Sequence, residues 1–96
     1  MELVESKLPM KRINCVIESV HQGKDVWVTV RLESGRPDGG SRLVCFETGD
    51  VYKIENLVLI GWQAMAAGYR AFFLSSVDPL RQTSPLSPGM HLVSEE

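Results

Sequence analysis

The segment Val26–Leu32, V-W-V-T-V-R-L, restricts the fold more than any other part of the chain. Val26, Val28, Val30 and Leu32 recur at every second position, with Trp27, Thr29 and Arg31 between them. Successive side chains of a strand point to opposite faces, and β-branched residues suit extended backbone. The pattern therefore describes a strand with one apolar face turned to a core and Trp27, Thr29 and Arg31 turned outward.

The same signal recurs along the chain. In Arg12–Val20, Ile13, Cys15 and Ile17 fall two apart, and the polar stretch His21–Asp25 separates this strand from the valine-rich one. Ser34–Ser41, S-G-R-P-D-G-G-S, is the strongest break, because its residues either fix φ or permit positive φ. Leu43–Phe46 is a short apolar strand, and Glu47–Asp50 is a turn. Val51–Ile60 follows, with Val51, Lys53 and Glu55 alternating against Tyr52 and Ile54. Further strands are expected at Tyr69–Val77 and Met90–Val93. Short strands broken by turns at this spacing predict an all-β sandwich or barrel.

Glu55–Ser75 reads two ways. Leu57, Val58, Gly61, Trp62, Met65 and Tyr69 fit a helical stripe capped by Asn56, but Gly61 and Gly68 each cost a helix interior about 1 kcal/mol. The preferred reading is a strand to Ile60, a Gly- and Ala-containing connection and a second strand, with Leu57–Leu74 as core and not a membrane span. Pro85 and Pro88 exclude a helix near the end. The division is an N-terminal extension over 1–10, one barrel domain over 11–94 and a short end at 95–96.

Composition bounds the function. With 44% hydrophobic and 23% charged residues the chain should pack a core. A net charge of −2 without a basic run disfavours phosphate-backbone binding, so no DNA partner is expected, and Lys7, Lys11 and Arg12 read as solvated. Glu2 and Glu5 stand where a signal peptide needs a basic start, and the chain has two cysteines, so the expectation is a cytoplasmic protein without a membrane partner.

No chemistry-bearing constellation survives inspection. Cys15 with His21 or His91 would be needed for a small cysteine-dependent enzyme, with Cys45 as the other candidate nucleophile, but both cysteines sit in apolar strand contexts where core filling is the ordinary role. A Cys15–Cys45 disulfide between strands is conceivable. The spacing of Cys15, His21, Cys45 and His91 contains no C-x-x-C or H-x-x-x-H pair for zinc, and no G-x-x-x-x-G-K-[ST] loop exists to cradle phosphates. The chain is therefore expected to have no catalytic, cofactor-binding or metal-binding residues. Two surfaces remain for partner binding: Trp27 with Arg31 on one outer face, and the 35–42 loop, where Arg36 and Arg42 flank glycines whose amides can meet an anion.

In order and spacing, the segments resemble the second domain of elongation factor Tu, the small barrel of translational GTPases. The resemblance lies in Ile17-Glu18-Ser19-Val20, in Val28-Thr29-Val30-Arg31-Leu32-Glu33-Ser34-Gly35 and in Gly40-Ser41-Arg42-Leu43-Val44. It continues through Ala67-Gly68-Tyr69-Arg70-Ala71-Phe72-Phe73-Leu74 and Pro88-Gly89-Met90-His91-Leu92, and so spans Lys11 to Val93. It implies a closed or nearly closed Greek-key barrel of about six strands, standing alone without the GTPase domain. Asp25, Val30 and Ser41 replace the family's usual glycine, glycine and aspartate, so its grip on aminoacylated RNA ends does not carry over by residue. The expected role is a non-catalytic binding module for a protein partner. A structured RNA is the other partner this reading allows, and the alternatives to it are a small cysteine-dependent enzyme using Cys15 or Cys45 and a subunit that self-associates through an open sheet edge.

Overall fold

A computed structural model describes residues 12–78, 80 and 85–95. Its strands are β1 (Asn14–Gln22), β2 (Val26–Ser34), β3 (Arg42–Cys45), β4 (Val51–Leu57), β5 (Tyr69–Ser76) and β6 (His91–Ser94), with one short helix, α1 (Trp62–Ala66). The six strands close into an antiparallel barrel in the order β1-β2-β5-β4-β3-β6. β3, β4 and β5 are successive neighbours and β6 returns beside β3, which is the Greek-key arrangement. Every strand has a partner on each side, so self-association through an open sheet edge has no open sheet to use.

The expected inward face of β2 is the observed one: Val28 and Val30 are fully buried and meet Ile17, Leu43, Ile54, Phe72 and Leu92 in the core. The alternation in β1 changes parity. Ile17 pairs with Val30 and Ser19 with Thr29, so Glu18 is the extra residue of a bulge. Cys15 and Ile17 point inward before it. After it, Val20 packs against the core and His21 faces out opposite Trp27. The β1–β2 pairing also slips between Asn14 and Cys15, and a further register shift around Glu55 in β4 pairs Asn56 with Phe73 and Leu57 with Phe72.

Three expectations need correction. The strand through Val51–Ile60 stops at Leu57, and the connection to β5 contains the single-turn helix α1, a compromise between the two readings. Gly68, at φ 97°, ends that turn and starts β5. Phe46 leaves β3 and lies 74% exposed. Leu57–Leu74 is core only in its β5 half, because Leu57, Leu59, Trp62 and Met65 are all exposed. No helix among the described residues is long and apolar enough to cross a membrane.

One end of the barrel gathers Arg12, the 35–41 loop and the 58–68 connection. Gly35 locks that end together. It has φ 82°, and a Cβ there would lie 2.5 Å from Ile13 Cα and 2.7 Å from the Arg12 carbonyl oxygen, so no other residue fits. Ser34 Oγ donates to the same Arg12 carbonyl at 2.7 Å.

Candidate functional site

The four residues expected to bind a partner do not form one site. Trp27 and Arg31 do share the outer face of β2, but each is already engaged within the chain. The bulge at Glu18 turns His21 outward, and its ring stacks on Trp27 with centroids 3.8 Å apart and planes 14° apart. Phe73, the β5 partner of Trp27, lies on the other side at 6.3 Å and 49°. His21 Nε2 is in turn 2.9 Å from Ser19 Oγ. Arg31 pairs with Glu18 at 3.7 Å. Arg42 sits three strands from β2 in either direction around the ring, and its Nε meets Glu95 at 2.9 Å. The anion site expected between Arg36 and Arg42 therefore loses Arg42 to an ion pair within the chain.

Arg36 belongs to a different feature. A cleft of about 590 Å³ opens at the 35–41 end of the barrel, within the range of ligand and peptide pockets. Leu32, at the end of β2, and Ala71 of β5 contribute to its floor, Arg36, Pro37 and Asp38 form one lip, and Leu57–Ile60 with Met65 form the other. Arg70 braces the second lip. Its Nη1 donates to the carbonyls of Met65 at 3.0 Å and Tyr69 at 2.7 Å, tying α1 to the start of β5. The backbone adds a further tie, since Leu32 N–H donates to the Gly68 carbonyl at 2.7 Å.

Around this cleft the apolar surface is left uncovered. Leu59 is 94% exposed and Trp62 75%, with Leu57 and Met65 exposed beside them. Scattered apolar side chains on a surface are ordinary, but a contiguous group around a concavity marks an interaction site. The backbone beside it is also short of intrachain partners. Val58 N–H donates to Ala71 at 2.8 Å, but among the described residues the N–H groups of Leu59, Ile60 and Gly61 have no acceptor. Gly61 is extended, at φ −61° and ψ 150°. Arg36 likewise has no ion pair or hydrogen bond among the described residues.

Sequence reasoning missed this lip because it treated the apolar run Leu57-Val58-Leu59-Ile60 as core. The usable signal was the loss of alternation. A run of consecutive apolar residues presents side chains to both faces, and a barrel with a single core can bury only one of them.

The cysteines are packed into the wall. Cys15 and Cys45 pair with the same residue, Leu92 of β6, from opposite sides, so a whole strand separates them by roughly 10 Å, beyond disulfide reach. Both are free and buried. Cys15 Sγ donates to the Leu92 carbonyl at 3.5 Å, and burial, followed by the charge of Glu33, pushes its pKa up to about 12, the reverse of an activated thiol. His91 instead faces outward and holds Glu47, with Nδ1 at 2.7 Å from one carboxylate oxygen and its backbone N–H at 2.8 Å from the other. Those two bonds hold the Glu47 carboxyl below its ordinary value. Among the described residues no group of three His, Cys, Asp or Glu side chains converges to hold a metal.

Comparison with known proteins gives no match to a protein family, a curated protein or a solved structure.

Proposed function

We propose that this barrel is a non-catalytic binding module that engages a protein partner through the cleft between the 35–38 loop and the 57–65 segment. The observation that carries the reading is the exposure of Leu57, Leu59 and Met65 in the lining of one concavity, with exposed Trp62 one helical turn from Met65. Such a patch is costly to leave in water, at roughly 25 cal/mol for each Å² of apolar surface, and covering it drives association. A protein surface suits it better than structured RNA. Phosphate recognition needs clustered cations, whereas among the described residues the cleft is lined by two arginines, Arg36 and Arg70, and the Arg70 guanidinium already donates to two carbonyls.

The test is affinity capture from the native cell with the parent chain and with Leu59→Asp. Leu59 is almost wholly exposed, so the variant should keep its unfolding free energy within about 0.5 kcal/mol. The expected result is a protein retained by the parent at low and high salt and lost by Leu59→Asp. Equal retention by both chains, or capture of RNA that falls steeply with salt, would overturn the reading.

A further inference from the structure

The chemistry of the two lips specifies the occupant more closely, on the premise that the cleft is a binding site. We infer that the cleft takes an extended peptide segment of the partner, one that carries apolar side chains with a neighbouring carboxylate. Three independent features of the same few residues point there. The backbone is extended at Gly61, and the N–H groups of Leu59 and Gly61, two residues apart and so on one side of an extended segment, are unpaired among the described residues, so they can serve as the receiving edge of a short β-ladder. This edge lies in the connection after β4 and is therefore open although the barrel itself is closed.

The second feature is side-chain chemistry. Residues of an added strand alternate, so every second side chain of the occupant would turn toward Leu32, Leu57 and Met65 while the others face solvent. Leu59 lines the lip yet is 94% exposed, and covering its outer side needs a chain that runs along the lip and not a small molecule seated inside it.

The third feature is charge. Arg31 and Arg42 each have an intrachain carboxylate, and Arg70 is bound to carbonyls, but Arg36 at the facing lip has no partner among the described residues. Asp38 lies on the same lip and makes no ion pair with Arg36, so two guanidinium groups face one carboxylate around the cleft. A guanidinium beside apolar surface is matched by a carboxylate, in a charge-assisted bond stronger than a neutral one.

Selection of random linear peptides displayed on phage against the full chain tests this. The expected outcome is enrichment of peptides with alternating apolar residues and an Asp or Glu at fixed spacing. Binding of a synthetic enriched peptide should change the emission of Trp62, and Trp62→Phe should remove that change. Arg36→Glu should weaken the same peptide about tenfold, the loss of one charge-assisted bond, and should shift a fresh selection toward Lys or Arg. N-methylation of the peptide at the ladder positions should also abolish binding. No enrichment, or enrichment indifferent to both Arg36→Glu and N-methylation, overturns the inference. A doubled solution mass that reverts in Leu59→Asp would overturn it too, by assigning the lip to a second copy. If Leu59→Asp releases a captured partner while no acidic peptide is selected, the cleft remains a binding site and only the peptide chemistry falls.

Discussion

The outer face of β1, β2 and β5 and the cleft at the 35–41 end both carry aromatic and arginine side chains, and the fold treats them oppositely. On the outer face Trp27 is stacked on His21 and flanked by Phe73, and Arg31 is paired with Glu18. At the cleft Trp62 and Leu59 stand in water, and Arg36 has no partner among the described residues. The difference is informative because residue type is the same in both places. A tryptophan or arginine marks an interaction surface only where the chain has not already used it, and the outer face has spent its groups on its own stability.

The contrast is sharpest where the cleft lip meets the barrel. Gly35→Ala should destabilise the chain by roughly 2–4 kcal/mol, since it combines a positive φ with a backbone approach of 2.5 Å. Gly40→Ala, with φ 90° but open space around it, should cost about 1 kcal/mol, and Gly23→Ala close to nothing. Chemical denaturation of the three variants orders them. If Gly35→Ala matched Gly40→Ala, the lip would not be wedged against Arg12 and Ile13 as described.

The self-satisfied face makes the next prediction. A double-mutant cycle of His21→Ala and Trp27→Ala should give a coupling energy of about 0.5–1.5 kcal/mol, the range for a stacked aromatic pair, while neither variant changes partner capture. A coupling near zero, or loss of the partner in Trp27→Ala, would move function back to the outer face.

The smallest effect belongs to Glu47 and His91. The Glu47 carboxyl has a lowered folded pKa, so its contribution is complete above the ordinary value of 4.5 and disappears as pH falls through the folded one. Glu47→Gln should therefore have a slightly lower Tm than the parent at neutral pH, and the gap should close on acidification below about 4.5. A gap that stays constant with pH would mean that the carboxylate charge is irrelevant to the contact.

Much of the architecture was legible from residue patterns. Each of the six strands overlaps the segment where alternation and turn residues placed it, although β1 runs on through His21 and Gln22, β3 ends before Phe46 and β4 ends at Leu57, and the inward set Cys15, Ile17, Val28 and Val30 is the buried one. The bulges were not legible. Glu18 and Glu55 are ordinary strand residues by composition, and only the register with the neighbouring strand makes either of them the extra one. The site was legible in part. Arg36 was singled out with Arg42, but nothing local shows that Arg42 would find Glu95 across the chain, or that Arg36 would stand beside Leu57 and Leu59.

By itself the sequence determined an all-β domain and its strand positions, because a period of two and the φ preferences of glycine and proline act within a few residues. The order of strands around the barrel, the parity shift that stacks His21 on Trp27, and the division of the Leu57–Leu74 segment into exposed lip and buried strand were decided by tertiary structure alone. The reason is capacity. A closed barrel of this size has one interior, already filled by Phe72, Ile54, Leu43 and Leu92, and apolar residues beyond it must face outward.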